Sequence, residues 1–115
     1  MSSLSEEQYD SLALPELGAL VRALDRLEHP SVEAELASDI LTIEFSDGTR
    51  YVVNSHRAAR QIWMAAERNA WHFDWVPEQR RWIAGKSGDE LWSTVSRVIE
   101  KRLGVPVTLE RGGDA

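Results

Sequence analysis

Two neighbouring segments, residues 61–66 and 71–75, do most to limit what this 115-residue chain can fold into. In both, apolar and polar residues alternate with period two, the mark of a half-buried β-strand. Ile62, Met64 and Ala66 share one face of the first, Gln61 and Trp63 the other. Trp71, Phe73 and Trp75 share one face of the second, His72 and Asp74 the other. A large indole therefore falls on the polar side of a strand, beside an amide. A strand that only covers a core has no use for Trp63 there. Large apolar groups on a solvent face mark a surface made for a partner.

The same alternation recurs upstream. Val32 to Leu36 alternates strictly, Leu41, Ile43 and Phe45 alternate with Thr42 and Glu44, and in residues 49–54 Tyr51 and Val53 oppose Arg50, Val52 and Asn54. Asp47-Gly48 between the last two is a hairpin signal, since glycine tolerates positive φ. Residues 55–59 read as a loop, 77–81 as a polar turn and 82–84 as a short last strand. A helical period flanks this block on both sides. Ser5-Glu6-Glu7-Gln8 reads as a capping box, with Leu4 and Tyr9 as its hydrophobic staple. Behind it Tyr9, Leu12, Ala13, Leu17, Leu20, Val21, Leu24 and Leu27 form one apolar face. Their register runs through Pro15, which predicts a single kinked helix; the alternative is a second helix starting at the proline. Ser87-Gly88-Asp89-Glu90 reads as a second capping box, ahead of a helix with Leu91, Trp92, Val95, Val98, Ile99 and Leu103 on one face and Gly104 as its stop. Residues 105–109 are apolar enough to lie back on the domain, and 110–115 are expected to fray.

Helix, about six strands, helix, with hairpin-length connections, predicts an α+β fold: a two-layer α/β sandwich with a mainly antiparallel sheet and both terminal helices on one face. The expected domain is single and spans residues 1–109. The other sheet face is expected in water, carrying Thr42, Glu44, Asn54, Gln61, Trp63, His72 and Asp74.

Composition removes several function classes. Without cysteine the chain has no disulfide, thiolate ligand, redox pair or nucleophilic thiol. A net charge of -6 argues against nucleic acid and anionic membranes, and favours metal cations or a basic protein partner. No apolar run approaches the ~18 residues of a spanning helix, and no basic-then-apolar leader opens the chain. A cytoplasmic location is the expectation. No Ser-His-Asp spacing, phosphate-cradling loop or dinucleotide fingerprint is present.

One acidic constellation remains. Asp25 and Glu28 are three apart near the end of the first helix, and Glu33 and Glu35 two apart on the first strand, with a short turn between. Carboxylates are hard oxygen ligands for Fe²⁺, Mn²⁺, Mg²⁺ or Ca²⁺. Spacing alone favours a plain solvated acidic face. Arg22 and Arg26 interrupt the acids, and His29-Pro30 occupies the turn, where His29 is a candidate nitrogen ligand. His56 and His72 read as loop or surface residues. Trp71, Trp75, Trp82 and Trp92 read as core or core-edge packing.

The set Asn54-Ser55-His56-Arg57-Ala58-Ala59-Arg60-Gln61-Ile62-Trp63-Met64, followed by Phe73-Asp74, Trp82 and Gly88, resembles the frataxins. That family carries Asn-x-Gln-x-Pro-x-x-Gln-Ile/Val-Trp-Leu, then Tyr/Phe-Asp, Trp and Gly before a last helix. His56 stands where Gln is usual and Ala58 where Pro is usual. The resemblance extends from about Tyr9 to Leu103 and implies the same sandwich. It implies that Asp25, Glu28, Glu33 and Glu35 match an acidic ridge that binds Fe²⁺ or Fe³⁺ weakly and exchangeably, with fewer acids than bacterial members often have. It implies that Asn54, Gln61, Trp63 and His72 match positions that meet a cysteine desulfurase and its iron–sulfur scaffold protein. The resulting expectation is an assembly factor that donates iron or regulates cluster assembly. An acidic module that neutralises a basic enzyme, as immunity proteins do, is the alternative. A weak ferroxidase, which some frataxins resemble in activity, is the third reading.

Overall fold

The computed structural model describes residues 4–110. Helix α1 spans Glu6–Leu27 and helix α2 Leu91–Leu103. Between them run six strands: β1 Val32–Ala37, β2 Ile40–Phe45, β3 Arg50–His56, β4 Gln61–Ala66, β5 Asn69–Val76 and β6 Arg81–Ala84. They form one sheet in sequence order, every neighbour pair antiparallel. Short connections permit nothing else, because a parallel crossover needs a dozen residues or more. This is the α+β sandwich that the alternation predicts. None of the described helices is long and apolar enough to cross a membrane.

α1 starts at the capping box: the Ser5 hydroxyl accepts the Gln8 N–H, and the Gln8 side chain accepts the Ser5 N–H. It runs through Pro15 as one helix. Leu14 and Pro15 lie on its exposed side, where water can serve the carbonyl that the proline leaves unpaired. α2 starts differently from the expectation. Its cap is Glu90, whose carboxylate accepts the N–H groups of Trp92 and Ser93. Ser87 instead bonds Asp89, and Gly88 takes a positive φ of 80° in the preceding turn.

Both helices bury their apolar faces against one side of the sheet. Tyr9, Leu17 and Leu20 of α1, Leu41, Ile43, Tyr51, Val53, Ile62, Met64, Phe73 and Trp82 of the sheet, and Leu91, Val95 and Ile99 of α2 are almost wholly out of water. Burying each such side chain stabilises the fold by roughly 1.5–3 kcal/mol. Periodicity alone put no charge in this core, yet Glu16 lies there at 4% exposure and accepts the Trp92 indole N–H. After Gly104, Val107 and Leu109 pack on the core edge as expected. The Glu110 carbonyl accepts from Arg26 at 2.7 Å, which ties that residue to α1. The rest of the tail expected to fray, residues 111–115, lies outside the described residues.

Candidate functional site

Alternation turns the odd-numbered residues of β5 toward the helices and the even-numbered ones outward, so the outer face is built from side chains the core does not need. Cross-strand register brings them into rows. Asn54 pairs with Trp63, and Trp63 with His72; His56 pairs with Gln61, and Gln61 with Asp74. Trp63 lies on the outer face, half-buried by its own neighbours. The His56 ring stacks on one side of the indole at 3.7 Å between centroids and 13° between planes. The His72 ring stacks on the other at 4.1 Å and 12°. The Trp63 Nε1–H donates to Gln61 Oε1 at 2.7 Å, and the Gln61 amide donates to Asp74 Oδ1 at 3.1 Å. Asn54, in the same row, bonds the Ser55 carbonyl through its amide.

This centre is anchored from below. The Tyr9 hydroxyl donates to the Gln61 carbonyl at 2.5 Å and accepts the His56 N–H at 3.0 Å. Burial of that phenol is the main reason its pKa is raised. α1 thereby sets the backbone on both sides of the β3–β4 connection, and with it the two groups that hold Trp63. The structure brings all four expected partner residues, Asn54, Gln61, Trp63 and His72, onto one patch. Sequence reasoning missed His56. β3 runs on to His56 where a loop is expected from residue 55, and two-residue parity from Asn54 puts His56 on the outer face. That parity was the available signal.

The acidic residues are arranged otherwise. Glu28 is the C-cap of α1 in the left-handed conformation, φ 51°, so it leaves the helical spacing that relates Asp25 to a residue three further on. Glu33 and Glu35 alternate outward from β1, while Asp25 belongs to the helix layer on the opposite face. All four are exposed, and none joins an ion pair among the described residues. No three carboxylate or imidazole groups of the described residues stand close enough to share a metal ion. Glu33 faces Glu44 across the β1–β2 ladder, beside a shallow hollow of about 260 Å³, and Glu44 is 3.4 Å from Arg50. His29 Nδ1 is taken by the Ser31 N–H at 3.0 Å. Arg26, an interrupting charge in the sequence, is turned to the tail carbonyl. The arrangement suits loose attraction of a hard cation, with most of its water retained, rather than a cage.

Residues 2–105 match the sequence pattern of the family described as frataxin-like domain. The iron-sulfur cluster assembly protein CyaY of Ralstonia nicotianae is 32% identical over 112 residues, covering 95% of this chain and 97% of that one. That of Ralstonia pickettii is 30% identical over 115 residues, covering 97% and 100%. Frataxin from Psychromonas ingrahamii has a similar structure, with a TM-score of 0.82 at 23% identity over 96% of this chain and all of that one. A trimeric frataxin from the yeast Saccharomyces cerevisiae, complexed with ferrous iron, superimposes with a TM-score of 0.68 at 24% identity over 90% of each chain. A family pattern matched over residues 2–105, with a relative 32% identical along almost all of both chains, means that this chain belongs to the frataxin-like family.

Proposed function

We propose that the protein is a cytoplasmic iron–sulfur cluster assembly factor that docks on a cysteine desulfurase–scaffold complex through its outer sheet face and carries iron as a weakly held cargo. The observation that supports this most is the clamped indole. Trp63 keeps part of its surface in water, yet two imidazoles and an amide fix its position. Few side chains lose little freedom on binding as well as offering a large apolar area, and a prefixed Trp is one of them. Family membership and the function named for the Ralstonia relatives point to the same machinery.

Iron would associate around Asp25, Glu28, Glu33 and Glu35, with Glu44 as a neighbour. Carboxylates with no fixed geometry hold Fe²⁺ through charge and release it readily, which suits a donor or a sensor. The acidic margin would also steer the protein toward a basic patch on the desulfurase.

The deciding experiment is capture of partners from an extract of the native cell with the tagged chain as bait. The expected result is a cysteine desulfurase, retained at low salt and lost as salt rises. Recovery of a basic toxin-like enzyme instead would favour the neutralising module. Iron-dependent oxygen uptake by the purified chain would favour the ferroxidase reading.

A further inference from the structure

The sheet is incomplete on one side. β5 is paired with β4 along Asn69 to Asp74, but β6 covers only Phe73 to Val76. Residues 69–72 therefore have a strand on one side only. β4 and β5 are joined by the two-residue turn Glu67-Arg68, which makes Ala66–Asn69 a hydrogen-bonded pair. Alternate residues of an antiparallel strand turn their N–H and C=O groups to opposite sides. Ala70 and His72 then present theirs to the vacant side. An open length of four residues runs ~13 Å, enough for a short extended peptide.

Two hollows flank this open edge. On the helix side, one of about 600 Å³ has Trp71 and Val98 among its apolar walls and Arg68, Arg97, Lys101 and Arg102 around it. Four cations against one carboxylate, Glu67, are a local reversal in a chain of net charge -6. Arg102 is tied to Asp47 and Glu67, and Arg97 reaches Asp89 at 3.4 Å. Arg68 and Lys101 hold no ion pair among the described residues. On the outer side, a second hollow of about 670 Å³ runs past Ala70 and His72 to Gly85, Lys86 and Ser87. The β6–α2 connection touches this strand through Asp89, whose carboxylate accepts the Trp71 indole N–H at 3.1 Å, and makes no backbone bond to Ala70 or His72 among the described residues.

We propose that the unpaired half of β5 captures an extended acidic peptide segment of a partner protein by strand addition. Backbone bonds to Ala70 and His72 would hold the strand. Its period-two side chains would alternate between the two hollows, with carboxylates on the basic, α2-facing side and small or apolar groups on the other. This does not depend on the iron or desulfurase reading. The two places meet at His72, whose ring belongs to the outer face and whose backbone turns to the open edge, and the partner here has a charge opposite to the one that the acidic margin suits.

The test is NMR titration of the ¹⁵N-labelled full chain with acetyl-Val-Glu-Val-Glu-Val-amide. The expected result at roughly millimolar peptide is a shift and slowed hydrogen exchange of the Ala70 and His72 amides. Replacing both Glu of the peptide by Lys should weaken binding at least ~10-fold, as should the double variant Arg68→Glu/Lys101→Glu. Both positions are exposed and hold no ion pair among the described residues, so the variant should keep the wild-type circular dichroism. N-methylation of the peptide on its pairing edge should abolish the protection. Binding that survives N-methylation, or that shifts only α2, would overturn strand addition in favour of a simple anion hollow. Protection of the same amides on concentrating the protein alone would make the occupant a second copy and overturn the partner peptide. No protection by any peptide would remove the proposal.

Discussion

Trp63, at the centre of the outer face, is held by His56, His72 and Gln61, while Glu33 and Glu35, three strands away on β1, enter no ion pair among the described residues. Both regions share one sheet face. They differ in what the fold spends on them. The centre is preorganised down to the hydroxyl of Tyr9 beneath it. The margin is charge without geometry. A protein interface gains affinity from preorganisation, because ordering a side chain during binding costs about 0.5–1.5 kcal/mol. A cation that must be passed on gains nothing from a rigid cage. The contrast suits the proposed role of a docking carrier.

The comparison breaks most visibly at two tryptophans on opposite faces. Trp82 is 1% exposed and packs on Tyr9 and Trp75, so Trp82→Ala should cost ~3–5 kcal/mol of stability. Trp63→Ala loses two ring stacks and a partial rather than complete burial, and ~1–2 kcal/mol is expected. Its larger effect should be on binding: ~2 kcal/mol or more, about 30-fold, against the desulfurase–scaffold complex. Denaturant midpoints and a binding isotherm read both quantities. A Trp63→Ala protein with wild-type affinity would defeat the docking reading and leave the fold untouched.

Gln61→Ala sharpens the same point. It leaves Trp63 in place but removes the acceptor of its N–H and the donor to Asp74. Stability should fall by about 0.5–1.5 kcal/mol, and the Trp63 indole N–H signal should broaden as the ring gains freedom. Affinity should drop by less than in Trp63→Ala. Equal losses would mean that Gln61 itself meets the partner rather than positioning the indole.

Most of the fold was legible because one rule, period two against period 3.6, separates its elements. The Ser5–Gln8 box and the Asp47-Gly48 turn are local and came through intact; Gly48 has the φ of 92° that the turn needs. What stayed hidden depends on contacts distant in sequence. The stack on Trp63 joins His56, Trp63 and His72 from three strands, and only register brings them together. Glu16 reads as one more helix-surface acid until Trp92, 76 residues on, supplies its donor. The acidic spacing was legible but its geometry was not. The outward parity of β1 follows from counting, but the left-handed cap at Glu28 does not, and together they set the four acids apart.

Asp47 shows what a carboxylate looks like when the fold does use it. Hydrogen bonds from the Thr49 backbone and hydroxyl, and from Arg102, lower its pKa to about 2 from the ordinary 3.8. A lowered pKa means that the folded state binds the proton less readily than the unfolded one. Its contribution is full above 3.8 and is lost as pH falls toward 2. Asp47→Asn should therefore flatten the acid limb of stability between those values and leave neutral pH less affected by salt. A ¹³C-carboxyl titration checks the pKa directly, and an Asp47 midpoint near 3.8 would reject the link to α2.

The smallest expected effect lies at the margin itself. Glu33 opposes Glu44 across the ladder, and like charges directly opposite destabilise a sheet by a few tenths of a kcal/mol. Glu33 and Glu35 have no ion pair to lose among the described residues. Replacing both by Gln should leave the protein equally stable or more stable by that amount, with the gain larger at low salt, where repulsion is least screened. The same variant should reduce the paramagnetic broadening that Mn²⁺ or Co²⁺ causes along β1 and the end of α1. Those two readouts separate the roles that an acid can play. A clear loss of stability would expose a structural pairing and remove these residues from the ligand set. Unchanged stability with undiminished broadening would move the cation to Asp25 and Glu28. Neutral or raised stability with weakened broadening is the signature of charge that the fold carries at a small cost, for a cargo.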